Sequence, residues 1–189
     1  MAEASDMNKR EDLARTGTEP RSPQAIAEQV ASAFIHRLAP AFRPPARLVC
    51  PSDEAELAVM EAVTAAASTR GITVEVIDVR PAPAERLDAI TARLAASIDE
   101  YQSAASESVP TLLILRGFDV FGDYTHEGPT YPFRSRFQFD KQFLWLFVGR
   151  DASRMRFLFG SHQRPLYRAA GDITPEDWQE SKFDGRSSA

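Results

Sequence analysis

Short, nearly unbroken apolar runs alternate along this chain with longer stretches in which apolar residues recur every three or four positions. Ser22-Pro23 opens the first such stretch, with Ser as a helix cap and Pro at the first helical position. Ile26, Val30, Phe34 and Leu38 then follow at four-residue spacing, one face of a helix that Pro40, Pro44 and Pro45 close. Arg47-Leu48-Val49-Cys50 is a strand-length run. Ser52 caps a second helix whose first turns carry Asp53, Glu54 and Glu56, negative charge that complements the helix dipole, and Gly71 ends it. Residues 72–79 (ITVEVIDV) are rich in β-branched side chains and predict a strand. Beyond Pro81 and Pro83, the stripe of Leu87, Ile90, Leu94, Ile98 and Tyr101 predicts a long helix.

Residues 111–115 (TLLIL) and 143–148 (FLWLFV) are apolar throughout, as strands buried on both faces of a parallel sheet are. Between them, residues 117–142 are expected to be irregular, broken by Pro129 and Pro132 and crowded with aromatics. Asp151 caps a short helix ending near Gly160, and Thr174-Pro175 starts another segment, which includes Trp178. Strands alternating with helices imply βαβ units. The predicted fold class is α/β: a three-layer α/β/α sandwich with a mainly parallel sheet of four or five strands. Residues 22–180 form the single domain, between an N-terminal tail at 1–21 expected to be disordered and a frayed tail at 181–189.

Composition narrows the function. The chain is 189 residues long, 43% hydrophobic and 26% charged, in the globular range rather than the disordered one. A net charge of -5 argues against a protein built mainly to coat nucleic acid. The single cysteine, Cys50, excludes an internal disulfide and a multi-cysteine zinc site, and fits a reducing, cytoplasmic setting. No apolar run approaches the roughly 18–20 residues that span a bilayer, so no membrane partner is expected.

Ligands of parallel sheets sit at the carboxyl ends of the strands. After the first strand stand Cys50-Pro51-Ser52-Asp53, without the glycines and lysine of a phosphate-binding loop. After the third stand Arg116-Gly117, where a magnesium-dependent NTPase carries acids. After the fourth, Arg150 opens a basic stretch with Arg154, Arg156, Arg164 and Arg168, in which His162 and Ser161 are adjacent but lack an acidic orienter. The aromatic and basic residues of 124–139, among them Tyr124, Arg134, Arg136 and Phe137, fit base stacking with phosphate contacts, packing on the sheet, or a partner-binding patch. His126 lacks the companions a metal needs, so neither metal nor cofactor is expected.

One segment carries a resemblance. Gly149, Met155, Pro165-Leu166-Tyr167 and Arg168 resemble the region after the fourth core strand of archaeal-type and STAND-like P-loop ATPases, which are related to the AAA+ ATPases, and the likeness extends over roughly residues 45–175. Ser52, Asp53, Arg116 and Gly117 then occupy the nucleotide-handling positions, but as a degenerate site without the Walker residues. The resemblance therefore implies a P-loop-NTPase-like fold with no hydrolytic chemistry: a pseudo-ATPase. The arrangement of short strand, Pro-containing loop, central strand and late aromatic-Gly…Tyr-Arg-Ala segment is also similar to the small B component of BREX phage-exclusion systems, which implies a partner-binding subunit of a defence complex. The resulting expectation is a non-catalytic accessory or adaptor subunit, in a phage-defence or mobile-element complex, whose partner is a larger ATPase or another subunit. Arg134, Arg136, Phe137, Arg150, His162, Arg164 and Tyr167 are its candidate partner-binding residues. A nucleic-acid-binding module and an enzyme of unrelated chemistry on the same scaffold are the alternative readings. The acidic helix start and the arginines at the strand ends are read as two opposed local surfaces.

Overall fold

The computed structural model describes residues 21–36, 45–104, 110–123, 130–139, 143–176 and 178. Five strands, all parallel, form one sheet in the order β2-β3-β4-β1-β5. In chain order the elements are α1 (Pro23–His36), β1 (Ala46–Val49), α2 (Asp53–Ser68), β2 (Thr73–Asp78), α3 (Leu87–Ala104), β3 (Thr111–Arg116), a 3-10 helix (Phe118–Asp123), α4 (Tyr131–Phe139), β4 (Phe143–Gly149), α5 (Ala152–Gly160) and β5 (Gly171–Asp172). The α/β class and the three layers follow the sequence expectation. The two tails, apart from Arg21, and Leu38, Tyr124 and His126 lie outside the described residues, as do the side chains of Tyr131 and Phe139.

Strand alternation sorts the core into two halves. On one face Leu112 and Ile114 of β3 and Leu144, Leu146 and Val148 of β4 pack with Ile26, Val30 and Phe34 of α1 and Val59 and Val63 of α2. On the other face Leu113, Leu115, Phe143, Trp145 and Phe147 meet Ile90, Leu94 and Ile98 of α3 and side chains of the 3-10 helix, α4 and α5. Phe118 centres this half, with ring centroids 4.7 Å from Phe147 and 5.0 Å from Phe121. Phe137 lies 4.8 Å from both Trp145 and Phe147. Truncating a ring so enclosed costs about 3–5 kcal/mol.

The expectation that residues 117–142 are irregular is corrected by the 3-10 helix and by α4. Pro132 does not break α4 because it stands in the first turn, where a backbone N–H has no intrahelical acceptor.

Local signals place the helix ends. The Ser22 hydroxyl accepts from the Ala25 N–H at 3.2 Å and the Ser52 hydroxyl from Ala55 at 3.1 Å. The Asp151 carboxylate accepts from both Ser153 and Arg154 at the start of α5. After α2, Gly71 takes φ +68° and the Ile72 N–H returns to the Ala67 carbonyl at 3.1 Å. Topology then positions the site. β1 and β2 are separated by β4 and β3, so α2, which connects them, crosses both inner strands. Its first turn stands at the carboxyl ends of the strands.

Candidate functional site

Ser52, Asp53, Arg116, Gly117 and Arg150, all picked from the sequence as strand-end residues, meet along the carboxyl edge of the sheet. Glu56 joins them and is buried, 2% exposed. Its carboxylate accepts from Arg116, at the end of β3, on one oxygen, and from the Arg150 Nε at 3.3 Å on the other. Arg150 also pairs with Asp53. Arg116 lies 3.9 Å from Asp78, at the end of β2, and Asp78 holds Arg80 through its side chain and its backbone N–H. Three acids and three arginines thus alternate across the ends of β2 and β3, the first turn of α2 and the loop after β4, with no net charge among the six.

The expectation of two opposed charged surfaces fails here, for a topological reason. α2 has to pass over β4 and β3, which sets its acidic first turn directly against the arginines that end those strands. The connection from β1 to α2 is only Cys50, Pro51 and Ser52. Its one serine is committed to the helix cap, and the first turn beyond it offers carboxylates rather than donors.

Titration follows from this packing. Burial, reinforced by the Glu56 charge, pushes the Cys50 thiol up to about 12 against the weaker pull of Arg150 and Arg116. Burial raises the Asp78 carboxyl, but its hydrogen bonds from Arg80, with the Arg80 and Arg116 charges, outweigh that and hold it below the usual carboxylate range. Gly117 has φ +71°, and a Cβ there would fall 2.2 Å from the Arg80 Cγ. Asp119 is a backbone acceptor: its carboxylate takes the Asp151 N–H at 3.0 Å. Among the described residues no group of His, Cys, Asp and Glu is arranged to hold a metal ion, and no helix is long and apolar enough to cross a membrane.

The second sequence-derived group is divided. Phe137 is in the core, so it cannot serve as a surface contact; its position on α4 faces Trp145 and Phe147. Phe133 beside it is buried as well. Arg134 donates to the Pro165 carbonyl, and Arg136 pairs with Asp99 of α3 at 2.6 Å. The Arg134 bond fastens α4 to the segment that carries His162, Arg164 and Tyr167. That segment, with α5, presents a basic face. The Arg164 guanidinium stacks 3.8 Å from the centre of the Phe157 ring, which is 39% exposed, and Arg168 lies 5.0 Å from that of Tyr167. Arg156, His162 and Arg168 are exposed. Arg154, by contrast, pairs with Asp123 and Asp151.

Glu56 is the residue that sequence reasoning undervalued, as one more favourable acid in the first turns of α2. A signal was there: Ala55, Val59, Val63 and Ala67 mark the buried stripe of α2, and position 56 lies on its flank. No protein-family model matches the chain, and no curated protein sequence matches it either.

Proposed function

We propose that this chain is a non-catalytic accessory or adaptor subunit that binds a protein partner, on a P-loop-NTPase-like sheet whose nucleotide position has been given over to internal ion pairing. The observation that carries this reading is the Arg116–Glu56–Arg150 arrangement. At the ends of β3 and β4, basic groups that a phosphate would need are already bound to a buried carboxylate. A polyphosphate entering there would displace Glu56 and meet Asp53 as well, like charge in place of donors.

The partner surface in this proposal is the basic face of α5 and residues 161–168. Arg156, Arg164 and Arg168 pair with no carboxylate among the described residues, and an arginine stacked on the exposed Phe157 ring suits an acidic protein surface. By the resemblance of this same segment, the partner we have in mind is a larger ATPase or another subunit of a phage-defence or mobile-element complex. The nucleic-acid reading rested on aromatics and arginines of 124–139; there Phe133 and Phe137 are buried and Arg134 and Arg136 have internal acceptors.

The test has two arms. Calorimetric titration with ATP-Mg should give no binding heat, and micromolar affinity would overturn the reading. A tagged chain should capture a protein from its native cells, and the R156E/R164E/R168E variant should lose it. Retention by that variant would remove the basic face as the interface.

A further inference from the structure

The outer edge of β2 has no partner strand among the described residues, since β2 ends the sheet. Two hydrogen bonds fix which of its residues look outward. The Thr73 N–H goes to the Pro110 carbonyl and the Val79 N–H to the Arg116 carbonyl, both on the β3 side. Odd-numbered residues therefore spend their backbone groups on β3, and Val74, Val76 and Asp78 turn theirs away from it. Edge strands of this kind are usually blunted by charged side chains, lysine above all, by proline or by a bulge; β2 carries Glu75 and, at its end, Asp78. The sequence from Thr73 to Asp78 (TVEVID) has no lysine or proline, it pairs with β3 without a register slip, and Val76 at its centre is 40% exposed. Among the described residues only the end is covered: the Arg93 guanidinium donates to the Asp78 carbonyl.

We propose that β2 is the contact through which two copies of this chain pair, antiparallel about a two-fold axis through Val76, so that one five-stranded sheet continues into the other. The edge selects a second copy because, of the two axes that let five of its six residues face their copies, at Glu75 and at Val76, only one avoids facing like charges. A two-fold axis perpendicular to the sheet keeps each face on its own side, so facing residues must share parity and the axis must pass through a residue. An axis at Glu75 would set two carboxylates directly opposite each other, which is destabilising. An axis at Val76 sets Val76 against its own copy, Val74 against Asp78, and Glu75 against Ile77. No like charges then face each other: Asp78 is paired with Arg80, and Glu75 takes a hydrogen bond from Tyr101 of α3. Every facing pair of outward residues is then a hydrogen-bonded pair. The Asp78 carbonyl can serve both Arg93 and the new N–H through its two lone pairs. The face that carries Val76 is the α2 side, because Val74 packs into the core half containing α2, and α2 presents Leu57 58% exposed. This inference stands apart from the proposed adaptor role.

Light scattering of the full chain over a roughly hundredfold concentration range in the micromolar region measures it. The mass should rise to twice 21.0 kDa. V76K places two ammonium groups across the axis and should hold the mass at that of one chain. V76C keeps the strand apolar and reports the contact even where V76K disturbs folding. Its two sulfurs would join Cα atoms about 5.5 Å apart, inside disulfide range, and should cross-link on mild oxidation while E75C does not. A chain that stays single at every concentration, V76K that still doubles, or cross-linking through residue 75 in place of 76 overturns the proposal.

Discussion

Arg116, at the end of β3, and Glu56, in the first turn of α2, are bonded to each other across the carboxyl edge of the sheet, with Glu56 almost wholly withdrawn from solvent. The pair ties an inner strand to the helix that spans it. Removing the acid alone leaves Arg116 and Arg150 facing each other, with part of each guanidinium buried. Breaking a buried pair from one side typically costs about 3–5 kcal/mol. The arginine side chains here keep 26% and 37% exposure, which lets water relieve them, so the expected loss for Glu56→Gln is about 2–3 kcal/mol. Glu54→Gln, two positions earlier on an exposed site, should change stability by less than about 0.5 kcal/mol. Urea midpoints of the two variants measure the contrast. Equal midpoints would mean that the ion pairs do not hold the edge together.

The Asp78 carboxyl is held below its ordinary value, because the Arg80 hydrogen bonds and the Arg80 and Arg116 charges outweigh its burial. A depressed carboxylate stabilises the folded state at pH above its unfolded pKa, and that contribution is lost as pH falls through the lower folded value. The wild type should therefore be more stable than Asp78→Asn at neutral pH. The gap should close as the solution is acidified below pH of about 4. Thermal midpoints taken across an acid series test this. A gap that stays constant to the lowest pH would show that Asp78 acts through shape and not through charge.

Cys50 is fully buried behind the same edge, and its thiol is pushed up to about 12 by burial and by Glu56. Only the thiolate attacks a disulfide reagent. The native chain at pH 8 should leave Ellman's reagent uncoloured, and one equivalent of thiol should appear on adding denaturant. Prompt reaction of the native chain would require the β1–α2 connection to open in solution. Glu56→Gln should hasten the labelling, because loosening the edge raises the population of open states.

The alternation of apolar runs and apolar stripes made most of this architecture legible. Strand-length runs at residues 72–79, 111–115 and 143–148 each became a strand, and the Ser22, Ser52 and Asp151 caps all function as read. The brief β5 was not assigned to particular residues, because two residues bracketed by hydrogen bonds to the Pro45 and Arg47 carbonyls leave no periodic trace. α4 was hidden by Pro132, whose meaning depends on whether it stands in a first turn or in a helix interior. The strand-end residues were found, but their pairing was not. It depends on strand order: only with β3 and β4 between β2 and β1 does α2 bring Glu56 to Arg116 and Arg150. Asp151, next to Arg150 in the chain, caps α5, while the fold brings Asp53 and Glu56 of α2 to Arg150.

Gly117 and Gly71 share a left-handed backbone and differ in their surroundings, which separates strain from crowding. Gly71, at φ +68°, has nothing within 4 Å of where a Cβ would stand. Gly117, at φ +71°, has the Arg80 Cγ at 2.2 Å and the Arg80 backbone N at 3.3 Å. Alanine at Gly71 should cost only the backbone term, roughly 1 kcal/mol. Alanine at Gly117 should cost that and also displace Arg80 from Asp78, for a total of about 2–3 kcal/mol. The second effect has its own readout. If Arg80 is displaced, Gly117→Ala should shrink the acid-dependent part of the stability as Asp78→Asn does, whereas Gly71→Ala should leave it unchanged. Similar losses from the two alanines, with the same acid dependence, would mean that the Arg80 side chain swings clear of residue 117 and that only the backbone conformation requires glycine there.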